Sequence, residues 1–173
     1  EWACARTTGF GTPLPWGKGW IIETLSDSTV YMAFYTVNKH IRQNDIKPES
    51  LTRDVFDYIF LGKNNPEQLS KTSGIGAELL KTMREEFLYW YPLDLRNSAK
   101  ELVPNHLTFC IFHHAALFPE ELWPRAIGVN GMLMIEGKQM HKSKGNFITM
   151  KGAVEKYGAD ATRCALLLGA EGM

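Results

Sequence analysis

The 173-residue sequence predicts an α/β domain with a largely parallel sheet. Short apolar segments typical of strands alternate with longer segments in which apolar residues recur at helical spacing. This alternation is typical of units in which helices connect parallel strands. In such sheets ligands bind beyond the carboxyl ends of the strands, so functional side chains are expected there.

Three short segments predict the strands. Residues 1–19 are rich in Gly, Pro and Trp and predict irregular backbone, after which residues 20–23 predict the first strand. The other strands are predicted at residues 93–96 and, interrupted at Gly131, at residues 127–135. The strands at residues 20–23, 93–96 and 127–131 are expected to be parallel, because helical segments separate them along the chain.

Apolar residues at intervals of three and four predict the helices. The first begins at Ser26 or Asp27, both good caps, and the second ends at Gly62. The third ends before Pro92, and the fourth is apolar on almost every side, which indicates packing against a sheet. Residues 62–76 predict a polar loop. The predicted helices are residues 26–41, 52–61, 77–90, 104–117, 152–157 and 160–168.

Composition and charge exclude several classes of protein. The 19 Lys and Arg residues balance 19 Asp and Glu residues, so the whole chain is no polybasic nucleic-acid binder. No apolar run is long enough to span a membrane, and no signal peptide is recognisable. Cys4, Cys110 and Cys164 form neither a CxxC pair nor a disulfide framework, which favours the reducing cytoplasm. Neither end of the sequence is typical of a domain terminus, so a longer parent protein is expected.

The segment that carries chemistry is residues 136–147, EGKQMHKSKGNF. Three lysines, a histidine and a serine lie between its two glycines. The segment follows a predicted strand and precedes a predicted helix. Several lysines can approach one anion, and glycines let a loop close over it, which suits a polyphosphate. Charge alone favours the alternative, a solvated basic hairpin tip. A Walker A loop is excluded, since the GxxxxGK[ST] pattern is absent.

Several stretches of the chain resemble one enzyme family. Residues 140–146, MHKSKGN, resemble the KMSKS signature of class I aminoacyl-tRNA synthetases and its continuation. Gln139 and His141 depart from that signature, at its first lysine and its serine. Residues 154–163, VEKYGADATR, resemble the stretch that follows it in the Leu, Ile, Val and Met subgroup. The stretches that narrow the resemblance to leucyl-tRNA synthetases of the eukaryotic cytosolic and archaeal type are residues 2–12, 26–36 and 86–106.

The resemblance implies a domain organisation. The chain would be the second half of a Rossmann-like nucleotide-binding fold, a parallel sheet with packed helices, followed by the first connecting helices. Residues 1–147, including the signature loop at 138–146, would belong to the catalytic domain, and residues 148–173 would begin the helical stem-contact region. The family's HxGH signature, editing insertion and anticodon-binding domain are not in this sequence, so the segment alone is not expected to charge tRNA.

The implied function is ATP-dependent activation of leucine and its attachment to tRNA(Leu), within a longer leucine–tRNA ligase. Lys142 would be catalytic, because its charge would stabilise the leaving pyrophosphate. ATP would arrive with Mg²⁺, and no motif of this segment would hold a metal. Leucine, ATP and tRNA(Leu) are the implied partners, with a multi-synthetase complex as a further candidate and no membrane. The implied contacts are Glu101, Met140, His141, Lys142, Ser143 and Lys144 for ATP, and Leu25, Ser28, Tyr31 and His106 for leucine.

Two of these expectations depend on local geometry. Ser28 and Tyr31 are three residues apart, so one helical face is expected to present both to leucine. Glu101 stands where the family has an acidic residue that meets the adenosine ribose, and it can accept hydrogen bonds from ribose hydroxyls. Ala99 replaces the family's glycine two residues before it, so an added methyl group would approach the ribose.

The alternatives concern activity and substrate. Ala99, Gln139 and His141 are three departures at nucleotide-contacting positions, and they fit either an active enzyme or a decayed copy. One alternative is therefore a truncated, non-catalytic paralogue that binds nucleotide or a partner. Another is a class I synthetase for isoleucine, valine or methionine. His113 and His114 are expected to be structural under every alternative.

Overall fold

The computed structural model describes residues 2–169, which divide into two compact units. One unit contains residues 2–95 and 104–126, and the other contains residues 96–103 and 127–169. Each unit is therefore built from two separate segments of the chain. No helix within the described residues combines the length and apolar character that crossing a membrane requires.

The first unit is mainly helical. A small antiparallel pair of strands places Ala5 opposite Ile22 and precedes the helices. In chain order its strands and helices are β1 (Ala5–Arg6), β2 (Ile21–Ile22), α1 (Thr24–Asp27), α2 (Tyr31–Gln43), α3 (Arg53–Leu61), α4 (Pro66–Ser73), α5 (Ala77–Trp90) and α6 (Thr108–Leu117).

The core of the first unit lies where α5 packs against α2, α3 and α4. Helical spacing brings each apolar set onto one face, because residues three and four apart lie above one another. Phe87 is central: its ring centroid lies 5.1 Å from that of Phe60 and 4.6 Å from that of Tyr91. The fully buried aliphatic side chains around it are Val37, Val55, Ile59, Leu80 and Met83.

Local signals set the ends of α3 and α4. Gly62 ends α3 in the left-handed conformation at φ 69°, as expected from the sequence. The polar loop predicted for residues 62–76 is wrong, because residues 66–73 form α4. Asn65 begins this helix by accepting hydrogen bonds from the amides of Glu67 and Gln68 at 2.9 and 3.1 Å. A cap followed by Pro66 is a helix-start signal, but the short and mostly polar helix hides the periodicity.

The helix predicted at residues 26–41 is two helices, α1 and α2, with a break at residues 28–30. Ser28 ends α1, and its hydroxyl donates to the Thr24 carbonyl at 2.8 Å, whereas Tyr31 begins α2. The prediction that one helical face presents Ser28 and Tyr31 is therefore wrong. Glu23 caps α1: its carboxylate accepts from the Leu25 amide at 2.7 Å.

The second unit contains the parallel strands. Strands β3 (Arg96–Ala99) and β4 (Ile127–Asn130) pair in parallel, with Arg96 opposite Ile127 and Ala99 opposite Asn130. This confirms α/β content with a small parallel sheet. The remaining strands and helices of the unit are β5 (Met134–Ile135), β6 (Lys138–Gln139), α7 (Met150–Tyr157) and α8 (Ala159–Gly169).

Two strand predictions need correction. The strand predicted at residues 20–23 exists as β2, but it is antiparallel to β1, whose two residues carry no apolar pattern. The strand predicted at residues 93–96 lies three residues later, at β3. Alternating Leu93 and Leu95 imitate a strand, but the Leu93 carbonyl accepts from the Arg125 amide outside any ladder. The strand predicted at residues 127–135, interrupted at Gly131, is confirmed as β4 and β5.

The fourth predicted helix is present, preceded by a wider π-helical turn at Val103–Leu107. Its apolar residues are only partly covered: within residues 2–169, Ile111 is 50% exposed and Phe112 is 68% exposed. Within the described residues these side chains are therefore exposed, where packing against a sheet was expected. The last two predicted helices are confirmed as α7 and α8, separated at Gly158.

We expect Leu80→Ala to lower the free energy of unfolding by about 3 kcal/mol, because it leaves a cavity beside Phe87 in the core. Leu88→Ala is the matched control on the same helix: Leu88 is 43% exposed, so its loss should cost less than about 1 kcal/mol. Urea unfolding followed by circular dichroism measures both. Equal losses for the two variants would contradict the assignment of this core.

Candidate functional site

The basic segment begins on a tight hairpin. Strands β5 and β6 pair antiparallel, with Ile135 opposite Lys138 and Met134 opposite Gln139. The two residues between the strands, Glu136 and Gly137, have φ values of 51° and 70°. Two successive left-handed residues make a turn whose twist suits a two-residue hairpin. The structure therefore confirms a hairpin here, but its tip is Glu136–Gly137 rather than the lysines.

The lysines lie on the turn that follows the hairpin. Lys142–Lys144 form one turn of 3₁₀ helix, closed by hydrogen bonds from the Lys144 amide to the His141 carbonyl and from the Gly145 amide to the Lys142 carbonyl, each 3.1 Å. Gly145 ends the turn at φ 70°. Within residues 2–169, neither Lys142 nor Lys144 has a carboxylate within 4.0 Å. Both ammonium groups are exposed and are available to an anion.

One side chain, that of Asn146, fastens the base of this loop. Its amide nitrogen donates to the Gln139 carbonyl at 2.8 Å, and its carbonyl oxygen accepts from the His141 amide at 3.1 Å. The two bonds join the end of β6 to the start of the lysine turn, so they fix the path of the residues between. The sequence analysis missed this role. The sequence does show an asparagine in the continuation of the signature. Its hydrogen-bond partners are backbone groups, however, and a sequence pattern cannot reveal such partners.

A pocket of about 320 Å³ lies beside the loop, at the carboxyl ends of β3 and β4. This is the edge of a parallel sheet at which ligands are expected. The structure brings Glu101 and Met140 together in the wall of this pocket, with Ala99 and Gln139 beside them. His141, Lys142, Ser143 and Lys144 are not among the lining residues, although they directly follow Met140 in the chain. The remaining lining residues are Asn130, Gly131, Met132 and Leu133.

A second, apolar pocket of about 460 Å³ lies on the other side of Met140. It is formed by the hairpin together with α7 and α8. Met140 and Leu133 line both pockets, so these two side chains form the partition between them. The apolar residues around this second pocket therefore help to position Met140 before any ligand binds. The other lining residues of the apolar pocket are Ile135, Ile148, Thr149, Met150, Ala153, Tyr157, Ala161, Thr162, Ala165 and Leu166.

The four residues expected to bind leucine lie in the first unit, around the break between α1 and α2. His106 is 5% exposed, and its Nδ1 forms a 3.2 Å hydrogen bond with the Leu25 carbonyl. Ser28 is exposed at the break, and Tyr31 is half-buried beside Tyr35, with ring centroids 5.3 Å apart. The structure therefore brings His106 and Leu25 into contact and leaves Ser28 and Tyr31 on either side of the break.

His114 has the structural role expected for it. The ring is fully buried, and Nδ1 donates to the Cys110 carbonyl at 2.7 Å, since a carbonyl can only accept. The other nitrogen then accepts from the Tyr91 hydroxyl at 3.2 Å. Burial lowers the pKa of His114, which keeps the ring neutral in this role, and burial raises the pKa of the Tyr91 hydroxyl.

His113 does more than the sequence indicated. Its Nδ1 lies 2.6 Å from the hydroxyl oxygen of Thr29, a residue in the break between α1 and α2. Thr29 is 1% exposed, so its hydroxyl is a buried polar group with a defined partner. Sequence spacing could not reveal this pair, because the two residues are 84 positions apart.

No group of three or more His, Cys, Asp or Glu side chains within residues 2–169 is arranged to hold a metal ion. Near one edge of the sheet, the described residues provide cationic side chains, one carboxylate and backbone groups as possible ligand contacts. Glu101 can accept hydrogen bonds from sugar hydroxyls, and Lys142 and Lys144 can neutralise phosphate oxygens. A phosphorylated ligand with a hydroxylated sugar matches both features.

Comparison with known proteins identifies the family of this chain. Residues 77–172 match the family model for class I tRNA synthetases, described as tRNA synthetases class I (M). The chain is 59% identical over 169 residues to the leucine–tRNA ligase of Pyrobaculum islandicum, an alignment that covers 98% of this chain and 18% of the relative. It is 57% identical over 171 residues to the leucine–tRNA ligase of Aeropyrum pernix, covering 97% and 18% of the two chains. Leucine–tRNA ligase 2 of Sulfolobus acidocaldarius is 55% identical over 169 residues, covering 98% and 18%.

The chain thus spans about a fifth of the length of the curated relatives it matches. The family match covers more than half of this chain and includes both parallel strands, the pocket at their carboxyl ends and the lysine turn. The resemblance inferred from the signature loop is confirmed. The chain belongs to the class I tRNA synthetases.

Proposed function

We propose that the chain works within a longer leucine–tRNA ligase, which activates leucine with ATP and transfers it to tRNA(Leu). The observation that carries the proposal is the pocket at the carboxyl ends of β3 and β4, whose lining residue Met140 is followed in the chain by a turn with two lysines. Among residues 2–169, neither lysine has a carboxylate within 4.0 Å. Class I synthetases use ATP, and this pocket offers groups suited to its ribose and phosphates. The names of the relatives, at 55–59% identity, support leucine as the amino acid.

In the proposed activation step the leucine carboxylate attacks the α-phosphate of ATP. A bond forms between the carboxylate oxygen and this phosphorus, the bond to the bridging oxygen breaks, and pyrophosphate leaves. Negative charge develops on the leaving group, so Lys142 would act most strongly in the transition state, with Lys144 as a second cation. His141, Ser143 and the loop backbone would contact the phosphates.

The adenosine would occupy the pocket beside the loop. Glu101 would accept hydrogen bonds from the ribose hydroxyls, and Met140 would pack against the nucleotide from the partition. Mg²⁺ would enter with ATP as part of the substrate. Leucine would bind at Leu25, Ser28, Tyr31 and His106.

The wider organisation of the proposed enzyme follows from the family. We propose that residues 1–147 are the second half of its Rossmann-like catalytic domain and that residues 148–173 begin its stem-contact region. The cytoplasm is the proposed location, because Cys4, Cys110 and Cys164 are free thiols. Neither the family match nor the relatives' names support a multi-synthetase complex, which forms no part of the proposal.

A second candidate is a relative that binds nucleotide without catalysis. It is favoured by Ala99 and Gln139, which depart from the family pattern and both line the pocket. An isoleucine, valine or methionine enzyme is less well supported, since the relatives at 55–59% identity are named for leucine. Amino-acid-dependent exchange of pyrophosphate into ATP separates all three, because it reports both activity and the amino acid used.

Lys142→Ala in the full-length synthetase should slow pyrophosphate exchange by about 100- to 1000-fold. The KM for leucine should change little, because the lost cation acts on charge that develops only in the transition state. Lys138→Ala is the matched control: Lys138 is an exposed lysine on β6 outside the proposed phosphate contacts, and its loss should change the rate little. A near-normal rate for Lys142→Ala together with loss of activity for Lys144→Ala would show that the signature is placed in the wrong register.

Gln139→Lys should speed exchange or leave it unchanged, because it restores a cation that the family supplies at this position. The hydrogen bond to Asn146 uses the Gln139 backbone carbonyl, so the substitution leaves that bond in place. Saturating ATP and leucine allow the rates to be compared directly. A marked decrease in rate would contradict the role assigned to positive charge at this position.

Asn146→Ala should reduce the exchange rate by about tenfold and raise the KM for ATP, since it removes both bonds that fasten the lysine loop. The KM for leucine should remain unchanged. Asn44→Ala is the control, because that exposed asparagine only bonds the His40 carbonyl at the end of α2. Unchanged ATP kinetics in Asn146→Ala would show that the loop holds its path without this side chain.

A further inference from the structure

Two imidazoles from one helical segment contact α1 and the break that follows it. His106 lies in the π-helical turn before α6, and His113 lies seven residues later in α6 itself. The ring of His106 bonds the Leu25 carbonyl of α1 at 3.2 Å, and the ring of His113 bonds the hydroxyl of Thr29, in the middle of the break, at 2.6 Å. The chain from α1 into the break is thus bonded to this helical segment at two points.

The hydroxyl of Thr29 is the buried anchor of this segment. In the break at residues 28–30, Ser28 is exposed and Val30 is half-buried, whereas Thr29 is 1% exposed. No side chain caps the start of α2 at Val30. The position of the break therefore depends on the bond between Thr29 and His113, because a buried hydroxyl without a partner is costly.

We propose that Thr29 and His113 are positioning residues for the leucine pocket. The inference rests on the proposed function, in which Ser28, Tyr31 and His106 contact leucine. Thr29 stands between Ser28 and Tyr31 in the chain, so its bond to His113 fixes both against the segment that carries His106. Neither Thr29 nor His113 needs to touch the amino acid to do this.

The bond between Thr29 and His113 would affect the choice between amino acids as well as the affinity for leucine. An apolar pocket separates amino acids that differ by one methylene by only about 10- to 200-fold. That separation requires walls held in place, since a small displacement lets a differently branched side chain fit. The bond between Thr29 and His113 therefore contributes to the preference for leucine over isoleucine.

The test is made in the full-length synthetase by pyrophosphate exchange. Thr29→Val keeps the shape of the side chain and removes the hydroxyl, and it should raise the KM for leucine by about tenfold. The KM for ATP should stay unchanged, and the preference for leucine over isoleucine should fall. Thr29→Ser keeps the hydroxyl and should retain near-normal leucine kinetics. A general loss of stability would instead lower activity without this split between the two substrates.

Thr36→Val is the matched control. Thr36 lies on α2, and among the described residues its hydroxyl bonds the Ala33 carbonyl of the same helix, at 2.7 Å. Its loss should leave leucine kinetics unchanged. His113→Ala should reproduce the effect of Thr29→Val, and the double variant should be no worse than either single variant, because both remove the same bond.

Two outcomes would overturn the inference: an unchanged KM for leucine in Thr29→Val, or equal rises in the KM values for leucine and ATP. If Thr29→Val does not fold, His113→Ala and His113→Asn give the same comparison from the partner side. If the unmutated enzyme exchanges pyrophosphate with an amino acid other than leucine, the proposed function is wrong. The pair is then tested with that amino acid, and an unchanged KM for it would overturn the positioning role.

Discussion

The candidate nucleotide site depends on the pairing of two four-residue strands, β3 and β4. Their register places Ala99 opposite Asn130, so both strands end at one edge of the sheet. The chain that leaves β3 supplies Glu101, and the chain that leaves β4 leads to the hairpin and the lysine turn. Glu101 and Met140, from distant parts of the sequence, thereby line one pocket, and the lysine turn follows Met140 along the chain.

The two units hold their candidate site residues in different ways. In the first unit, imidazoles bonded to a carbonyl and a hydroxyl hold the segment around the break between α1 and α2, where leucine is proposed to bind. The second unit has an exposed loop whose path is set by one asparagine and whose lysines have no carboxylate partner among residues 2–169. A small apolar substrate needs fixed walls, whereas a polyphosphate needs cations that can move toward it. The two arrangements match these different demands.

The sequence predicted what depends on local signals. Gly62 and Pro92 marked helix ends correctly, and the lysine loop was found because its residues are neighbours in the chain. The break between α1 and α2 was missed, since apolar spacing runs through it without interruption. The role of Asn146 and the partner of His113 were missed for another reason: Asn146 binds backbone groups, and His113 binds Thr29 across 84 residues. Such contacts are created by tertiary packing and leave no periodic trace.

Met140 and Leu133 separate the pocket proposed for the nucleotide from the apolar pocket behind it. Because the two cavities share this partition, displacement of Met140 toward one enlarges the other. The thioether side chain is unbranched and adapts its rotamer at little cost. A movement of Met140 away from the proposed nucleotide would use space already present beside α7 and α8, and a movement toward it would enlarge that space. Neither movement requires rearrangement of the core.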